Sequence, residues 1–162
     1  MIFLYTDKLL EVELPQVLPT CEVTDRRVVP LVKEDLQCLQ SVLKKASHGV
    51  VLKTRSRLLL SLVRELRPDL VVYVWGLGLR RRGVVPIYSA EEYRGPAVYY
   101  VKTKAELERL RGEYVEGLLL DVRGFDPYLI DLAVRGKVSC SCTKCDVVER
   151  LLCDPYKEVE VL

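Results

Sequence analysis

Apolar residues along this chain fall into short runs of strand length, separated by stretches in which they recur every three or four positions. Residues 1 to 32 are β-rich: MIFLY, a TDK turn, LLEVEL, and a loop bracketed by Pro15 and Pro19 together predict an N-terminal β-hairpin. From Lys33 to Ser47 the period becomes helical, with Leu36, Leu39, Val42, Leu43 and Ala46 on one face and Gly49 as the stop. GVVLK (49–53) reads as a strand, and the helix after it takes Thr54 or Ser56 as cap and ends before Pro68. DLVVYVW (69–75) does not alternate, which is the pattern of a central strand buried on both faces.

Pro86 in VVPIY lacks a ladder donor, so this run predicts an edge or irregular strand. Ser89 and Glu92 have capping-box spacing and predict a very short helix. AVYYV then reads as a strand, Thr103 with Glu106 opens a helix that stops at Gly112, and VEGLLLDV reads as the next strand. Asp126 caps a helix that has Pro127 as its first residue and Gly136 as its end. KVS and KEVEVL read as short strands on either side of a helical DVVERLL.

Strand and helix thus alternate along most of the chain. That order predicts one α/β domain over residues 1–162, with a mostly parallel or mixed sheet and helices on both of its faces. The β-rich segment 1–32 opens it and a cysteine-rich segment, 137–162, closes it. A chain of 162 residues with 49% hydrophobic and 30% charged side chains suits a single core. Asp7, Lys8 and Glu11 interrupt the N-terminus, which therefore has neither a signal-peptide pattern nor a membrane span; the expectation is a cytoplasmic protein without a membrane partner.

Charge changes this picture in one respect. The net charge is +2, yet residues 53 to 82 carry eight Lys or Arg against Glu65 and Asp69, a local excess of six positive charges. Lys53, Arg55, Arg57, Arg80, Arg81 and Arg82 are the candidates for a basic face that binds an anionic partner, RNA or DNA, with Tyr88, Tyr93, Tyr99 and Tyr100 nearby for stacking. The alternative for the same residues is a solvated, salt-bridged surface. The chain has no asparagine and only three glutamines, Gln16, Gln37 and Gln40, a composition of thermophile type in which intracellular disulfides are admissible.

Four of the six cysteines, Cys140, Cys142, Cys145 and Cys153, fall in the run SCSCTKCDVVERLLC. Close thiolate spacing of this kind suits a tetrahedral structural zinc site, and these four are the expected ligands. A continuous helix from 145 to 153 would separate those Cα atoms by ~12 Å, so either the helix stops early or Cys21, Cys38 or His48 supplies the fourth ligand. An iron–sulfur cluster would use the same thiolates. In a redox alternative, Cys142 and Cys145 cycle between dithiol and disulfide, with Lys144 favouring the thiolate. A further alternative has no metal: disulfides among these cysteines brace a subunit whose role is contact with a protein partner. Cys21 and Cys38 read as buried small apolar side chains.

Other motifs narrow the field. WGLGLRRRG (75–83) fails the dinucleotide fingerprint, since Arg81 stands at its third glycine and a strand follows. Asp121 and Asp126 have the reach for Mg²⁺ at a sheet's carboxyl edge, but the simpler reading pairs Asp121 with Arg123 and makes Asp126 a cap. No nucleophile elbow is present and His48 is the sole histidine, so no catalytic residue is assigned.

Overall fold

The computed structural model describes residues 1–124 and 126–135. Eight strands lie in it: β1 (Ile2–Tyr5), β2 (Gln16–Leu18), β3 (Val28–Val32), β4 (Val50–Lys53), β5 (Val72–Trp75), β6 (Val84–Ser89), β7 (Val98–Val101) and β8 (Gly117–Asp121). They are all parallel, stand side by side in chain order, and close into a barrel through β1 and β8, where Phe3 pairs with Leu119 and Tyr5 with Asp121. The α/β class and the parallel pairing are as the sequence predicts.

The open sheet with helices on both faces is not, because closure leaves one face as the barrel interior and only the outer face for helices. The N-terminal hairpin is also replaced: β1 and β2 run parallel, and the chain returns from Tyr5 to Gln16 along the outside. Gln16, fully buried, holds that return through its side chain, accepting from the Leu10 N–H at 2.6 Å and donating to the Leu10 and Val12 carbonyls. LLEVEL is therefore a pinned loop rather than a strand. Pro86 lies inside the closed ladder opposite Val74, and Pro30 likewise opposite Leu18; each forfeits a rung, but a barrel has no edge to which a proline is confined.

Among the described residues the helices come in two pairs: α1 (Leu36–Leu43) and α2 (Arg57–Leu66) follow β3 and β4, and α3 (Lys104–Arg109) and α4 (Pro127–Arg135) follow β7 and β8. The connections after β1, β2, β5 and β6 contain no helix. The halves β1–β4 and β5–β8 thus repeat one plan of two loops followed by two helices, without a repeat in sequence. Ser56 and Thr103 cap as the sequence predicts, accepting from Leu59 and Glu106 N–H groups, and Asp35 caps α1 by accepting from Cys38 N–H. Asp126 accepts from Tyr128 N–H at 3.0 Å with one oxygen and from Lys104 N–H at 2.8 Å with the other, so one carboxylate ties the starts of α3 and α4 together. Ser89 and Glu92 open no helix; Ser89 ends β6 and its hydroxyl accepts from Glu91 N–H in a turn.

Among the described residues, three cores follow from this plan. Phe3, Val17, Val29, Leu31, Val51, Tyr73, Ile87, Val98 and Leu119 fill the barrel. Outside it, one core under α1 and α2 includes Leu39, Leu52, Val63 and Val74, and another under α3 and α4 includes Leu4, Tyr99, Leu107, Leu120 and Leu129. Each strand feeds an inner and an outer core at alternate positions, which is why its sequence is an unbroken apolar run. Burying both strand faces is how a chain this short supports eight strands.

A disulfide joins Cys21, just past β2, to Cys38 in the first turn of α1. The expectation of two buried thiols, and of either as a spare metal ligand, is corrected accordingly. The geometry reason is proximity: the connection after β2 crosses the start of α1, with the two Cα atoms 4.9 Å apart. Cys140, Cys142, Cys145 and Cys153, with the rest of the segment 137–162, lie outside the described residues. Among the described residues no group of three or more potential ligands is arranged to hold a metal ion, and no helix is long and apolar enough to cross a membrane.

Candidate functional site at the barrel mouth

The inner positions at the carboxyl ends of the strands form a ring. Tyr5 ends β1, Lys53 β4, Trp75 β5, Ser89 β6 and Asp121 β8, and Tyr100 lies one residue from the end of β7. Register joins them in three pairs, Tyr5 with Asp121, Lys53 with Trp75, and Ser89 with Tyr100, each pair stepped by two residues from the next because Trp75 stands beside Ile87 and Tyr100 beside Leu119. In barrels of this architecture the carboxyl end is where ligands and reacting groups are held, because the loops that follow the strands converge there.

Tyr5, Trp75 and Tyr100 touch one another over the packed interior. Ring centroids are 4.7 Å apart for Trp75 and Tyr100, 6.0 Å for Tyr5 and Trp75, and 6.2 Å for Tyr5 and Tyr100. Two cations rest on this aromatic floor: Lys53 Nζ lies 4.7 Å from the Trp75 ring centroid and the Arg123 guanidinium 3.6 Å from that of Tyr5. Such stacking is favourable without consuming the hydrogen-bonding capacity of the cations.

Asp121 holds the other side. It is 7% exposed, accepts from Arg123 Nε at 3.1 Å and Nη2 at 3.0 Å, accepts from the Arg123 N–H at 2.9 Å, and receives the Tyr100 hydroxyl in a short hydrogen bond. Burial opposes its ionisation, but the hydrogen bonds from Arg123 and Tyr100 outweigh it and keep the carboxyl below its ordinary value. Burial first, and then the bond to Asp121, push the Tyr100 phenol far above its usual range. The bond to Asp121 raises Arg123 further, so the tyrosine stays neutral, the carboxylate ionised and the guanidinium charged at any ordinary pH. Of the mouth's charges, Asp121 and Arg123 neutralise each other in part, and Lys53 keeps its excess.

A groove of about 880 Å³ opens beside this floor, between the loops that follow β5 and β6. Arg55, Trp75, Tyr88, Ser89, Glu91 and Arg94 are among its walls. Gly76 and Gly78 form its base at the turn after β5. Gly76 has φ +118°, and a Cβ there would approach the Thr54 carbonyl to 2.8 Å, so the turn crosses the neighbouring backbone at a distance that only glycine permits.

The predicted basic residues divide between the two ends of the barrel. Lys53, Arg55 and Arg57 stand at the mouth, at the end of β4 and the start of α2. Arg80, Arg81 and Arg82 lie after the chain has descended from Trp75 to the amino ends of the strands: Arg81 bridges to Val84, and Arg80 binds the Pro96 carbonyl and pairs with Glu116 at 2.5 Å. The length of β5, ~10 Å, separates the two groups. The tyrosines divide too. Tyr88 and Tyr100 reach the groove and the mouth, Tyr99 is fully buried in an outer core, and Tyr93 stacks on Tyr99. The sequence reading missed Tyr5, Trp75 and Arg123 as site residues. Each ends, or closely follows, an apolar strand, and that position was the available signal.

No protein-family model, no curated protein and no solved structure matches the chain.

Proposed function

We propose that the protein binds single-stranded RNA or DNA at the carboxyl mouth of its barrel, with Lys53, Arg55 and Arg57 meeting phosphates and Trp75 giving a face to a base. The observation that carries this reading is the pair of cations stacked on three touching aromatic rings. A strand of nucleic acid alternates anions with flat apolar rings, and aromatic platforms beside a positive groove are the general means of holding one. The mouth supplies both within one ring of side chains, whereas at the other end Arg80 is held by Glu116 and, among the described residues, no cation is stacked on the exposed Tyr114 ring nearby.

Trp75 is the only tryptophan, so its emission reports on this site alone. Titration with short oligonucleotides at low salt is expected to quench it, and the affinity is expected to fall steeply as salt rises. Unchanged emission and unchanged anisotropy of a labelled oligonucleotide at low salt would remove the reading.

A structural zinc site at Cys140, Cys142, Cys145 and Cys153 is proposed beside it. The disulfide between Cys21 and Cys38 supports this ligand set by withdrawing two of the three alternatives for the fourth position, which leaves His48 as the remaining one. Elemental analysis of protein purified without chelator or affinity metal is expected to give close to one zinc per chain. Metal-free, fully folded protein would leave the disulfide and dithiol alternatives.

A further inference from the structure

The groove beside the mouth contains one group that strand binding does not require. Glu91 lines it, is exposed, and has no ion-pair partner among the described residues, whereas its neighbour Glu92 is engaged by Arg94 at 3.4 Å. A carboxylate repels a phosphodiester backbone, so Glu91, unpaired on a wall that also carries Arg55, Arg94 and the Arg94-bound Glu92, calls for a ligand group that donates hydrogen bonds. The groove is also flanked by flat surfaces: Trp75 at its inner end, and Tyr88 with the Arg94 guanidinium 5.8 Å from its ring centroid. Arg55 stands on the same lining, on the side of α2. Its volume, about 880 Å³, lies within the range of sites that take whole small molecules.

We infer that this groove is a base-reading seat with a preference for guanine, a conclusion that rests on the proposed strand binding and adds specificity to it. The base lies against Trp75 and Tyr88, Arg55 takes the adjoining phosphate, and Glu91 accepts hydrogen bonds from the base edge. Chemistry selects the base. A carboxylate offers two parallel acceptors and no donor. Guanine presents two adjacent N–H donors on its pairing edge, N1–H and the N2 amino group, and so matches both oxygens at once. Adenine and cytosine each offer one amino group next to an acceptor nitrogen. Uracil offers one N–H between two carbonyl oxygens that repel the carboxylate. A matched two-bond contact of this sort typically discriminates by about tenfold or more.

The test uses Trp75 quenching by three short oligomers at fixed low salt: all uridine, uridine with one central guanosine, and uridine with one central inosine, which keeps N1–H and lacks the amino group. The expected result is roughly tenfold tighter binding of the guanosine oligomer than of the all-uridine one, with inosine between them. In Glu91→Gln, a substitution at an exposed position that leaves folding intact, the guanosine preference is expected to disappear while affinity for the all-uridine oligomer is kept or rises. Equal binding of the three oligomers, or a preference that survives E91Q, overturns the guanine seat and leaves strand binding standing. Failure of every oligomer to quench Trp75 or to shift anisotropy overturns strand binding itself, and the guanine seat with it.

Discussion

Lys53 and Trp75 are register partners on adjacent strands, and the lysine folds over its partner so that Nζ sits 4.7 Å from the indole centroid. The cation and the ring thus occupy one spot at the carboxyl end of the barrel, where a phosphate and a base would be met together. Lys53 is exposed and makes no buried contact, so replacing it removes charge without disturbing the fold. Lys53→Met is expected to weaken oligonucleotide binding and to reduce the slope of log affinity against log salt by about 0.7, the value for one phosphate contact on a single strand. Fluorescence titrations at three or more salt concentrations measure this, and an unaltered slope argues against Lys53 as a phosphate contact.

The division of the basic residues gives a sharper contrast. Alanine at Arg80, Arg81 and Arg82 is expected to leave binding at the mouth nearly unchanged, since these residues lie at the amino ends of the strands and Arg80 is already paired with Glu116. Alanine at Lys53, Arg55 and Arg57 is expected to lower the salt slope by ~2 if all three meet phosphates. Both triple variants lose the same formal charge, so a difference between them locates the site in a way net charge does not. The opposite ranking would move the interface to the Arg80–Arg82 end.

The two triplets looked like one face in sequence because a linear charge count has no direction. WGLGLRRRG begins at the mouth with Trp75 and Gly76 and ends at the far side with Arg82 and Gly83, since a parallel neighbour starts at the end opposite to where the last strand finished. The same directionality explains the predicted hairpin: MIFLY and the run before Pro15 have hairpin-like spacing, but Gln16 pins the second run as a loop and β2 starts beyond it. What was legible was local. The caps at Ser56, Thr103 and Asp126 and the doubly buried run ending at Trp75 need only neighbours a few residues away. Closure of the barrel depends on the pairing of Tyr5 with Asp121, far apart in sequence, and no local pattern encodes it. The site inherits that difficulty, since Tyr5, Trp75 and Tyr100 become one cluster only after closure.

Asp121 is expected to make stability depend on acid. Its folded-state ionisation lies below the ordinary carboxylate value of about 3.9. A carboxyl of this kind contributes its full stabilisation above the unfolded-state value and loses it as pH falls through the folded-state value. Urea unfolding followed by Trp75 emission is therefore expected to show wild type well above Asp121→Asn at pH 7, with the two converging below about pH 4. Parallel profiles down to pH 2 would show that Asp121 is not held by Arg123 and Tyr100 in solution.

Tyr100→Phe separates the hydroxyl from the ring. The phenol donates to an ionised carboxylate, a class of bond whose loss costs about 1.5–3 kcal/mol, while the ring contacts to Trp75 and Tyr5 remain. The lower end is expected, because Arg123 still donates to both Asp121 oxygens. Stability should drop at pH 7 with binding of oligonucleotides nearly kept, which distinguishes a residue that braces the floor from one that meets the ligand. A loss of affinity larger than the loss of stability would instead put the hydroxyl in contact with the bound strand.

The bond between Cys21 and Cys38 bridges a sequence separation of 17 and fastens the connection after β2 to the first turn of α1. Cross-linking a loop of that size restricts the unfolded chain by an amount equivalent to ~3 kcal/mol. That connection has no helix of its own to pack against the barrel, so the bridge stands in for one. Reduction, or Cys38→Ser, is expected to lower unfolding free energy by roughly that amount, read by urea unfolding with and without reductant. Peptide mapping of the non-reduced protein should recover the Cys21 and Cys38 peptides as one linked species. Recovery of both as free thiols, together with a stability indifferent to reductant, would show that the bond does not form in solution.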